Sequence, residues 1–140
     1  MSDLEVVVFP DAVALVRTYL LAELEERGDS TGVVSTVPNP RPVRFVRVHR
    51  VGGPRRNLVV DAATLAVECS AETETDAHDL AQLCRALLFA LAGRVVDGVP
   101  IYRVEELGGP SDLPDPDSTQ PRCVFTHAVH VRGTTEGAPS

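Results

Sequence analysis

The stretch ATLAVECSAETETDAHDLAQLCRALLFALAG, residues 63–93, decides how the rest of the chain is read. Leu65, Val67, Cys69 and Ala71 alternate with Ala66, Glu68 and Ser70, which is the period of a strand with one buried face. Thr73 followed three residues later by Asp76 has the spacing of a capping box, so a helix begins there. Ala77, Leu80, Cys84, Leu87 and Leu91, widened by Ala81 and Leu88, then recur at helical spacing. Phe89 falls opposite that stripe, among His78, Gln82 and Arg85, and is a candidate anchor for a partner. A second run, RCVFTHAVHVRG at 122–133, reads as a closing strand with Cys123, Phe125, His127, Val129 and Val131 on one face.

Working towards the start, FPDAVALVRTYL opens another helix. Pro10 suits a first turn, where its missing N–H has no partner, and Asp11 complements the helix dipole. Val13, Val16, Leu20 and Leu24 form its stripe with Leu21 beside it, Gly28 stops it, and Glu23 stands four residues before Arg27. Leu15, Tyr19 and Ala22 fall on the far side. Either the helix is sandwiched and apolar on two faces, or that side meets another subunit.

Residues 32–37 can form a short strand, ended by the PNPRP of 38–42. In 43–51, Val46 and Val48 share a face with Arg44 and Arg50, while Val43, Phe45 and Val51 share the other with Arg47 and His49. Two half-apolar faces indicate a bulge or an interface strand. GGPRRN at 52–57 is a turn that presents Arg55 and Arg56, and 58–61 with 64–71 supply the return. A strand over 99–107 carries Pro100 near its start or at an edge. The proline- and aspartate-rich 108–121 has no apolar residue but Leu113, and is expected to be mobile until a partner orders it. The expected fold is α+β, a mainly antiparallel sheet with two long helices packed on one face. One domain spans 1–132, and 133–140 form a flexible tail.

Composition narrows the function. The chain has 140 residues, 44% hydrophobic and 24% charged, as a globular domain does. A net charge of −7 opposes non-specific affinity for nucleic-acid phosphates, and 4% aromatic content without Trp gives little for base stacking. All 13 basic residues are Arg, as a GC-rich genome would give. Three cysteines without CxxC spacing do not read as a disulfide framework and fit a reducing cytoplasm. MSDLEVVVFPD lacks a basic leader region and does not read as a signal peptide, and no run approaches a membrane span.

Chemical motifs are sparse. Cys123, His127 and His130 look like metal ligands, but in a strand His130 points away from the other two. Cys123 and His127 are also about 13 Å apart along an extended chain. Asp112, Asp115 and Asp117, with Glu105 and Glu106 nearby, lack the ligand pattern of a calcium loop and read as a solvated, stiffened turn. No GxSxG, HExxH or phosphate loop is present, and Cys84 belongs to a buried stripe. No catalytic, cofactor-binding or metal-ligating residue is assigned.

FPDAVALVRTYL, the 63–91 segment and DLPDPDSTQPRCVFTHAVHVRG, in this order, resemble the tail terminator proteins of long-tailed bacteriophages, the lambda gpU-like group. The resemblance covers most of 9–132 and lies in fold and order rather than chemical motif. It implies a non-enzymatic virion protein, assembled in the host cytoplasm, whose subunits form a hexameric ring at the head-proximal end of the tail. Such a ring stops polymerisation of the tail tube protein and presents a docking surface to the head–tail connector or stopper. DNA passes through its lumen without sequence-specific binding, and no membrane or cofactor is involved. Candidate interface residues are Leu15, Tyr19, Arg44, Arg47, Arg50, Arg55, Arg56, Phe89, Asp112, Leu113, Asp115 and Asp117. The alternatives are another neck or tail-completion protein, or a small α+β ligand-binding domain or enzyme.

Overall fold

The structure is a computed structural model that describes residues 4–136. Eight strands and two helices follow in the order β1 (Val6–Val8), α1 (Ala12–Glu26), β2 (Gly32–Val34), β3 (Phe45–Gly52), β4 (Val60–Ser70), α2 (Glu74–Leu91), β5 (Val95–Val96), β6 (Val99–Asp112), β7 (Arg122–Arg132) and β8 (Thr134–Glu136). Six strands form one sheet in the order β2-β3-β4-β7-β6-β5, and β1 pairs with β8 in a separate two-stranded ribbon. All pairings are antiparallel except β2 with β3. The class is α+β.

Both helices start where a side chain satisfies an orphan N–H. Asp11 is the N-cap of α1 and accepts from the Ala14 N–H at 3.1 Å. Thr73 does the same for Asp76 at the start of α2, where Glu74 and Asp76 also suit the dipole. The Arg27–Glu23 pair closes at 2.7 Å. Pro10 stands one place before the cap rather than inside the first turn.

Cross-strand register shows which side chains share a face. Val46 faces Cys69, which faces Cys123; Val48 faces Val67, which faces Phe125; Leu65 faces His127 and Ala63 faces Val129. All of these except His127 join residues of both helices in one apolar cluster. Each large aliphatic side chain fully buried there, such as Leu20, Leu24 or Leu88, stabilises the fold by about 1.5–3 kcal/mol. All seven apolar residues assigned to the α2 stripe are buried.

Several expectations are corrected. The return strand is one continuous element, Val60–Ser70, rather than two pieces. The segment 32–37 is strand only over Gly32–Val34. The mixed strand runs Phe45–Gly52, with a register shift between Arg50 and Gly52. Residues 108–112 belong to β6, because successive register shifts keep Gly108, Ser111 and Asp112 paired with β7 past the glycines and Pro110. The expected tail 133–140 is partly structured: Thr134–Glu136 pair with β1, while 137–140 lie outside the described residues. The β5–β6 hairpin, with positive φ at Asp97 and Gly98, was not anticipated although Asp-Gly is a strong signal for such a turn.

The two ends of the sheet differ. At one, the β1–β8 ribbon and the 53–59 turn lie beside the paired Val60 and Arg132. Gly133 seats the ribbon, since a Cβ there would lie 2.5 Å from Val7 and 2.9 Å from Phe9. At the other, the segments 35–44 and 113–121 meet beside Phe45, Ser70 and Arg122.

Candidate functional site

The meeting of those two segments is built from charged side chains far apart in sequence. On the sheet face away from the apolar cluster, Glu68 is nearly buried and pairs with Arg47 at 3.3 Å, His49 at 2.6 Å and Arg122 at 3.1 Å. Arg122 also donates to the Leu113 and Pro114 carbonyls. Asp115 accepts from Arg41 at 3.0 Å, and Gln120 donates to the Pro42 and Val43 carbonyls. Hydrogen bonding from the Asp117 N–H, then Arg41 nearby, holds the Asp115 carboxyl below its usual range. Residues 113–121 are therefore clasped to 35–44, and the expected mobile loop is corrected. Arg and Gln supply the order that the segment's apolar content cannot.

The same geometry reassigns several candidate interface residues. Leu15 and Tyr19 are each only 7% exposed and belong to the chain's own core. Tyr19 meets α2, its Oη donating to the Leu87 carbonyl at 2.5 Å, whereas Ala22 on the same side of α1 stays exposed. Burial pushes the Tyr19 hydroxyl pKa up, with Glu23 adding to it. Arg44 is held by Asp29 and Thr31, Arg47 by Glu68 and the Ser35 carbonyl, and Arg50 by both oxygens of the buried Asp61. With Asp115, these groups are engaged inside the subunit.

The remaining candidates stay outward. Phe89 is half-exposed and its ring lies against that of His127, with centroids 4.9 Å apart and the planes tilted by 40°. Arg55 and Arg56 are exposed on the turn, Asp112 at the end of β6, and Leu113 and Asp117 on the clasped loop. Among the described residues, none of these four charged side chains has an ion-pair partner within 4.0 Å.

Residues that sequence reasoning missed gather at the ribbon end. Val6 and Val8 are about half-exposed and Leu58 is 71% exposed. Glu5, Val6, Val7, Arg55 and Leu58 line an open hollow. Alternation in the VVV of β1 was the available signal, but the partner strand β8 lies far along the chain. The clasp end is instead acidic: Glu72, Glu74, Asp76, Asp112 and Asp117 are exposed, with Leu113 among them at 50%.

His127 is the other unusual group. It is 0% exposed, lies between Phe89 and Phe125, and neither ring nitrogen has a hydrogen-bond partner. Glu106 Oε1 is 3.6 Å away, beyond hydrogen-bonding length, and is gripped by Arg85. His130 is on the opposite face beside Glu105 at 3.2 Å. Cys69, Cys84 and Cys123 are buried free thiols, and burial raises the Cys69 pKa well above normal. Among the described residues no group of three His, Cys, Asp or Glu is placed to hold a metal ion.

No helix among the described residues is long and apolar enough to cross a membrane. Comparison with known protein families finds no matching family model, and comparison with curated proteins finds no match.

Proposed function

We propose that this chain is a structural subunit of a phage tail. It closes into a ring, hexameric in the reading its sequence resemblance implies, on the head-proximal end of the tail tube. There it stops tube polymerisation and offers the docking surface for the head–tail connector or stopper. The resemblance of 9–132 to tail terminator proteins supports this reading. The observation that carries it furthest is the contrast between the sheet's ends: exposed apolar groups with unpaired Arg55 and Arg56, beside Glu5 and Glu136, at one, and an exposed surface rich in carboxylates around Leu113 at the other. Unlike ends suit a heterologous contact, in which one patch meets a different patch on the neighbour, and repeated contacts of that kind generate a ring where the rotation closes and a filament where it does not. The net charge of −7 lets DNA traverse a lumen without being retained.

Cryo-microscopy of purified virions tests the assignment. Density for this fold is expected as a ring between the last tube layer and the connector. Its placement elsewhere in the neck favours a different tail-completion role, and its absence from the particle refutes the proposal.

A further inference from the structure

The two unlike ends carry matching features, and the strands between them keep those features from meeting within one molecule. β4 and β7 each span 11 residues, so the ends are separated by about 33 Å. At the ribbon end, Val6, Val7 and Leu58 line a hollow with Glu5 and Arg55, and Arg56 follows Arg55 in the turn. At the clasp end, Leu113 projects between Asp112 and Asp117. Pro114 and Pro116 stiffen the chain there, and Arg122, holding the Leu113 and Pro114 carbonyls, fixes the segment from below. A loop ordered before contact loses little entropy on binding.

We propose that the 112–117 segment of one copy seats Leu113 in the Val6/Leu58 hollow of the next. Asp112 and Asp117 then meet Arg55 and Arg56 at its rim. The occupant is a second copy of this chain, because the chain itself carries an apolar-tipped segment whose two unpaired aspartates complement the unpaired Arg55 and Arg56 beside the hollow. This deepens the ring reading and rests on it, since a head-to-tail contact between opposite ends runs on as an open filament unless the rotation per copy closes it into a ring.

Two double variants and their mixture provide the test, with mass followed by light scattering at rising concentration and low salt. The parent chain is expected to self-associate beyond a dimer. Arg55→Glu/Arg56→Glu sets Glu against Asp112 and Asp117 across the contact, and Asp112→Arg/Asp117→Arg sets Arg against Arg55 and Arg56. Each alone is expected to associate about tenfold more weakly. Mixed in equal amounts, each variant's altered end meets an opposite charge on the other, and assembly is expected to return. Either variant assembling as the parent does, or a mixture no better than its components, overturns the inference. A parent chain monomeric at every concentration also overturns it but leaves the tail role intact, because the tube end can act as template. A closed two-fold dimer counts against both.

Discussion

Replacing His127 by Leu is expected to stabilise this protein, although the residue is fully buried. A buried polar group without a hydrogen bond costs about 1–3 kcal/mol, and both nitrogens of this ring are unpartnered. The substitution also removes two ring contacts, to Phe89 and Phe125, whose aromatic component is on the order of 1 kcal/mol. With a side chain of similar size filling the space, the net gain at neutral pH is about 1 kcal/mol, or roughly 4 °C in Tm.

Acidification should widen that gap. Burial lowers the His127 pKa below 6.5, with nearby Glu106 opposing and Arg85 assisting the shift. The groups facing the ring are Arg85 and Phe89 from α2, Glu106 from β6, Phe125 from β7 and Leu65 from β4. Since the unfolded chain takes up the proton first, native stability falls as pH drops through about 6.5 and continues to fall down to the folded-state pKa. The slope from this group reaches at most about 1.4 kcal/mol per pH unit, and the Leu variant lacks it. Urea unfolding of both proteins at several pH values between neutral and mildly acidic isolates the effect as a difference, in which other titrating groups cancel. A Leu variant less stable than the parent at neutral pH, or a difference that stays constant on acidification, would falsify the account of His127 as an unsatisfied neutral imidazole.

Glu68→Gln should cost about 2 kcal/mol, because it removes the carboxylate that holds Arg47, His49 and Arg122 together. It should also speed proteolytic cleavage within 113–121, and unchanged cleavage would show that the clasp does not depend on Glu68. Gly53→Ala should cost at least about 2 kcal/mol, since φ is +90° there and a Cβ would strike the Ala62 carbonyl and lie 2.7 Å from the Thr64 nitrogen. Thermal unfolding within 1 °C or so of the parent would contradict that geometry.

The sequence by itself determined the local elements. The cap at Thr73, the helix start near Asp11, the helical stripe from Ala77 to Leu91 and the alternation through β4 and β7 all depend on residues a few positions apart. Their physics is readable one window at a time. The same period placed His127 and His130 on opposite faces, as the register shows.

Tertiary structure decided what those elements meet. Leu15 and Tyr19 are core because α2, some 70 residues later, lies against them, and no period in α1 distinguishes that from a partner subunit. Arg44, Arg47 and Arg50 read as candidate interface residues until the fold brings Asp29, Glu68 and Asp61 beside them. Composition marked 113–121 as loose because it counts apolar area and misses long-range hydrogen bonds. Arg41, Arg122 and Gln120 order it through separations of up to 79 residues. The ribbon-end patch was hidden for the same reason, since β1 and β8 stand at opposite ends of the chain and only folding puts Val6 beside Leu58. Helix and strand follow from neighbours in sequence, whereas burial, charge pairing and available surface follow from neighbours in space.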